Sequence, residues 1–78
     1  MSADNGYIIR KKLEHGLPKF VLQMYFASDD TYPDINKVAE AFVFDALIDA
    51  VLAYTRLRER PGFVCEYGLD IQISEITT

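Results

Sequence analysis

The seven residues Ser28 to Asp34, "SDDTYPD", hold three carboxylates, a tyrosine and a proline. The chemistry they first suggest is cation binding. Counted from Asp29, a twelve-residue calcium loop would close on Glu40, the acidic residue such loops need at their last position. Pro33 then falls at position 5, and Asp34 stands where a glycine must make the sharp turn, so the pattern fails. Asp29, Asp30 and Asp34 read instead as turn formers, because short carboxylates hydrogen-bond their own local backbone.

The other reactive side chains are few. His15, the single histidine, lies in "EHGLP" without a spaced nucleophile or orienting acid. Cys65, the single cysteine, sits between Val64 and Glu66 and reads as a small core residue, with a reactive thiol as the alternative. One Cys and one His fall short of a zinc cage within one chain. Gly6, Gly16, Gly62 and Gly68 are scattered and form no phosphate-binding loop. No enzyme, cofactor or metal is expected. What remains is aromatic: Tyr7, Tyr25, Tyr32 and Tyr67 exceed what one small core absorbs, and tyrosines beside acids suit protein contacts. Tyr25, Asp29, Asp30, Tyr32 and Asp34 are therefore the candidate partner-binding residues. The alternative is that Tyr32 packs back and anchors its own loop.

These residues need a scaffold. "GYIIRKKL" (Gly6 to Leu13) reads as a strand, "EHGLP" as a turn, and "KFVLQMYFAS" as a second strand of an antiparallel hairpin. In the second strand Phe20, Leu22, Met24 and Phe26 share an apolar face that must be buried. Val21, Gln23, Tyr25 and Ala27 share a mixed face, as in a sheet covered on one side. Were Ile8, Val21, Tyr25 and Val43 left uncovered, that patch would call for a partner.

Beyond Pro33, the run from Ile35 to Arg60 is either one long helix or a strand over Val38 to Phe44 followed by a helix. The β-rich "FVF" favours the split, with Asp45 as N-cap. Leu47, Ile48, Val51, Leu52, Tyr54 and Thr55 then form the apolar stripe. Asp45 and Asp49 at one helix end, with Arg56, Arg58 and Arg60 at the other, complement the helix dipole. Pro61-Gly62 ends the helix. In the last strand Leu69, Ile71 and Ile73 face inward, and Asp70, Gln72 and Ser74 face solvent. The expected fold is α+β: a small antiparallel sheet of order β-β-β-α-β, with one amphipathic helix on one face. The insertion point of the last strand stays open.

At 78 residues the chain forms one domain, and such a chain buries only about 60 % of its unfolded surface. Twelve acids against eight bases leave a net charge of −4, which argues against a phosphate-binding, nucleic-acid protein. The most apolar stretch, Ala39 to Tyr54, is broken by Glu40, Asp45 and Asp49, so no membrane span is expected. The polar "MSADNG" has no apolar leader, and the expected location is cytosolic.

The phrases "MSADNGYIIRK", "FVLQMYFASDDTYPDI", "FDALIDAVLAY" and "EYGLDIQI" resemble small actinobacteriophage-encoded proteins over most of the chain. That resemblance implies expression in a bacterial host, where short phage proteins often bind host factors, and it brings no catalytic residue. The expected function is a non-enzymatic protein-interaction module acting through the acidic Tyr-Pro loop and a sheet face, the partner being a host bacterial protein. One alternative is a binder of a nucleotide-like signal at a dimer interface, with Arg10, Lys11 and Arg58 on phosphates and a tyrosine on the base. Another is a homo-oligomer, such as a homodimer, with a structural role.

Overall fold

In the computed structural model residues 4–29, 32–37 and 41–73 are described. Strands β1 (Asn5–Glu14) and β2 (Leu17–Phe26) pair antiparallel along their whole length. His15 and Gly16 alone connect them, both at positive φ (53° and 78°), the two-residue turn that matches the natural twist of a hairpin. A 3-10 turn, Ala27–Asp29, follows β2. β3 (Ala41–Phe44) then pairs antiparallel with β2, and α1 (Leu47–Arg58) leads on to β4 (Leu69–Gln72). Among the described residues the β-β-β-α-β order and the single α-helix are those expected from the sequence pattern, and the split before α1 holds; residues 38–40, the expected start of the third strand, lie outside the described residues.

β4 joins the sheet beside β1 and runs parallel to it, giving the strand order β3-β2-β1-β4. The sheet is therefore mixed rather than wholly antiparallel. The cause is the helical crossover. β1 and β3 both run opposite to β2, and a helix between β3 and β4 returns the chain to the sheet in β3's direction.

The core lies between α1 and one sheet face, where Ile9 and Leu22 are fully buried against Ala50 and Tyr54. Tyr7, Tyr54 and Phe63 extend it as an aromatic trio, with ring centroids 5.6 to 6.2 Å apart. Two expectations shift here. The buried helix stripe is Leu47, Ala50, Tyr54 and Leu57 with Val51 and Ala53 beside it, while Ile48, Leu52 and Thr55 are exposed. The small Ala50 lets the helix approach the sheet, which rotates the buried stripe away from the bulkiest residues. On β2 only Leu22 and Phe20 meet the helix, whereas Met24 and Phe26 are exposed. A helix of twelve residues spans about 18 Å, less than the ten-residue strand it crosses.

Asp45 does not cap the helix. Ala46 holds that position with no side-chain hydrogen bond, and Asp45 pairs with Lys19 at the start of β2. Ala46 still accepts the Asp49 and Ala50 amides through its carbonyl. That hydrogen bond to Asp45 raises the Lys19 pKa above its ordinary value.

Candidate functional site

The sheet face away from α1 carries Gly6, Ile8 and Arg10 from β1 beside Val21, Gln23 and Tyr25 from β2, following strand alternation and the register Ile8↔Gln23 and Arg10↔Val21. This face is closed rather than half open. Ile8 and Val21 are fully buried and Gln23 is 1 % exposed, while Val43 keeps 42 % of its surface. The long connection between β2 and β3 accounts for part of the cover. Two adjacent antiparallel strands need only a tight turn, yet the segment Tyr32 to Lys37 lies across Arg10, Gln23 and Tyr25.

Two long polar side chains hold that segment by its backbone. The Arg10 guanidinium donates through Nη2 to the Pro33 carbonyl and to Gln23 Oε1. Gln23 Nε2 in turn donates to the Asp34 carbonyl at 2.8 Å. The buried amide thus bridges the arginine and the loop, which satisfies both of its ends, as a buried amide requires. Arg10 also lies over the Tyr32 ring, 5.8 Å from its centroid. Burial lowers the Arg10 pKa from its ordinary value, while the Asp34 carboxylate and Tyr32 oppose that shift.

Tyr32 packs back onto the sheet and does anchor the loop. Its ring meets Tyr25 edge-on, with centroids 5.1 Å apart and planes at 79°. Its hydroxyl reaches β4, 3.4 Å from Asp70 Oδ2 and 3.1 Å from Gln72 Nε2, and Gln72 Nε2 also donates to Asp70 at 3.0 Å. Tyr25 lies against Gly6, where the absence of a side chain leaves room for its ring. Burial raises the Tyr25 pKa, and Tyr32 and Asp70 add to the shift.

Of the five candidate residues, Tyr25 and Tyr32 meet directly, and the Asp34 carbonyl is tied to the same face by Gln23. The Asp34 side chain accepts the Asn36 amide at 2.9 Å, the local turn expected of a short carboxylate. Asp34 is exposed, and Tyr32 keeps 41 % of its surface. Asp29 ends the 3-10 turn, and Asp30 lies outside the described residues. The sequence pointed to Arg10 only as a phosphate contact of the nucleotide alternative, and to Asp70 and Gln72 only as solvent-facing. Gln23 was the available signal, a polar amide inside the run Phe20 to Phe26.

The residues of the nucleotide alternative are not gathered. Arg10 is engaged beneath the loop, its neighbour Lys11 projects to the opposite sheet face by strand alternation, and Arg58 ends α1. His15 is exposed at the hairpin tip. Cys65 is half-buried, its Sγ 3.5 Å from the Gly68 carbonyl and 3.9 Å from the Tyr54 hydroxyl. It fills the corner before β4, as a small core residue does. No described helix is long and apolar enough to cross a membrane. No protein-family model, curated protein or solved structure matches the chain, so its fold and this latched loop are the grounds for a functional reading.

Proposed function

We propose that the chain is a non-enzymatic protein-interaction module. It presents the Tyr-Pro loop, with Asp29, Asp30, Tyr32 and Asp34, and the adjoining Tyr25 and Asp70 to a partner with basic groups. The observation that carries this reading is the backbone latch from Arg10 and Gln23 to the Pro33 and Asp34 carbonyls. It draws the loop's positive neighbour inward and leaves Asp34 and part of Tyr32 outward in one held conformation. A surface already ordered loses little conformational entropy on binding. A half-exposed tyrosine beside acids supplies both contact area and a polar handle. The resemblance to actinobacteriophage proteins makes a host bacterial protein the expected partner.

The test is affinity capture from bacterial lysate with the native chain and with an Asp30→Lys, Tyr32→Ala variant whose fold is verified by circular dichroism. The proposal requires a protein that the native chain retains at low salt, that higher salt releases, and that the variant loses. Equal retention by both baits, or none by the native chain, overturns it.

A further inference from the structure

The second surface of interest lies at the other end of the sheet. β3 is an edge strand, and its outer side has no partner among the described residues. Apart from its shortness, four residues, it lacks the usual guards against pairing. Ala41–Phe44 holds neither charge nor proline, and Phe42 is 55 % exposed. The opposite edge, β4, carries Asp70 and the Tyr32 contacts. Along the seam between β3 and α1 run two open grooves of about 220 and 360 Å³, both bordered by Ala53 and Arg56.

The helix wall of this seam has a charge order that reads the same from a second copy. Asp45 and Asp49 border the groove at the start of α1, and Arg56 and Arg60 border it at the end. Leu52, which is 46 % exposed, and Ala53 lie midway between. Attraction to the helix dipole explains acids first and bases last. It does not explain why these four charges share one flank, the flank beside the open strand. Two such helices laid antiparallel about a centre at Leu52-Ala53 set Asp49 against the partner's Arg56, and Asp45, which also meets Lys19, toward the partner's Arg60.

The sheet permits that arrangement. Phe42, Val43 and Phe44 line the same grooves as Ala53, so the middle of β3 lies beside the middle of α1. A single dyad therefore serves both elements. α1 approaches both β2 and β3, so the flank that carries Asp49 and Arg56 lies beside the open edge.

We infer that β3 and the Asp49–Arg56 flank of α1 form an interface for a second copy of this chain. The two β3 strands pair antiparallel into one continuous eight-stranded sheet, with the two α1 helices side by side on one face. This surface is separate from the Tyr-Pro loop, so dimerisation and partner capture fail or succeed independently.

Sedimentation equilibrium across a dilution series tests the inference. The native chain is expected to be a dimer that dissociates on dilution. Asp49→Arg alone and Arg56→Asp alone each place like charges opposite one another twice, and each should weaken association about tenfold or more. Mixing the two single variants restores opposite charges at both contacts, so the mixture should form a heterodimer. That recovery also shows that the single variants are folded. A native chain that stays monomeric at every concentration overturns the inference. So does a dimer that survives both reversals, or a mixture with no recovered dimer.

Discussion

Replacing Gly6 by alanine tests how the closed sheet face is built. Gly6 is not among the positive-φ residues, so alanine is compatible with its backbone. The obstacle is Tyr25. A Cβ at position 6 would lie 2.7 Å from the tyrosine oxygen, 2.8 Å from Cζ and 2.9 Å from Cε1. Carbon atoms rest at about 3.5–4.0 Å, so the ring must retreat by roughly 0.7–1 Å. It is not free to do so, because Tyr32 stands edge-on against it and is held from β4. Overpacking of this kind costs about 1–3 kcal/mol. Removing a glycine from a strand returns about 0.5–1 kcal/mol. The net expectation is a loss of up to about 2.5 kcal/mol, centred near 1, and each kcal/mol lowers Tm by about 4–8 °C for a domain of this size. The assay is urea unfolding of four chains: native, Gly6→Ala, Tyr25→Val and the double variant. With the ring gone, Gly6→Ala should turn neutral or stabilising, a coupling of about 1–3 kcal/mol between the two sites. If Gly6→Ala costs the same in both backgrounds, the ring is not what the glycine accommodates, and the reasoning is refuted.

Two further predictions follow from the same geometry. Arg10→Met removes the charged donor that holds Pro33 and orients Gln23, which should cost about 2–4 kcal/mol. It should also speed amide hydrogen exchange at residues 34–37, and unchanged exchange there would count against the latch. Tyr7 and Tyr54 have pKa values raised above their ordinary 10.0, first by burial and then by Cys65 nearby. The folded state therefore holds its phenolic protons longer than the unfolded state. Stability from these groups is fully present below pH 10 and declines as pH rises through the raised values. Tyr7→Phe should flatten the fall in Tm as pH rises above 10, roughly in proportion to the one ionisation it removes.

Local chemistry carried much of the architecture. The β-branched and aromatic residues of Gly6 to Leu13 and the alternation of Lys19 to Phe26 identify two strands, and "EHGLP" marks a turn between them, which the structure narrows to His15-Gly16, both at positive φ. The split at Asp45 is equally local, since "FVF" favours extended backbone and Pro61-Gly62 bounds the helix. The rotation of α1 was not legible. Periodicity selects the most apolar stripe, but the buried stripe depends on how closely a small residue, Ala50, lets the helix approach Ile9 and Leu22. The same holds for Asp45, which suits an N-cap by type but pairs with Lys19 from a distant strand.

The candidate site divides in the same way. That Asp34 makes a local turn, its carboxylate accepting the Asn36 amide, follows from residues in contact along the chain. Where the loop then lies depends on Arg10, Gln23, Asp70 and Gln72, which the fold draws from three strands. β4 reaches that place only because the α1 crossover delivers it beside β1 and parallel to it. The sequence by itself determined the elements, their order and the chemical character of the loop, since these rest on near neighbours. The tertiary structure alone decided which face α1 buries, that the second sheet face is closed, and that Tyr32 anchors its loop. Those outcomes rest on contacts between distant residues, whose partners no local pattern names.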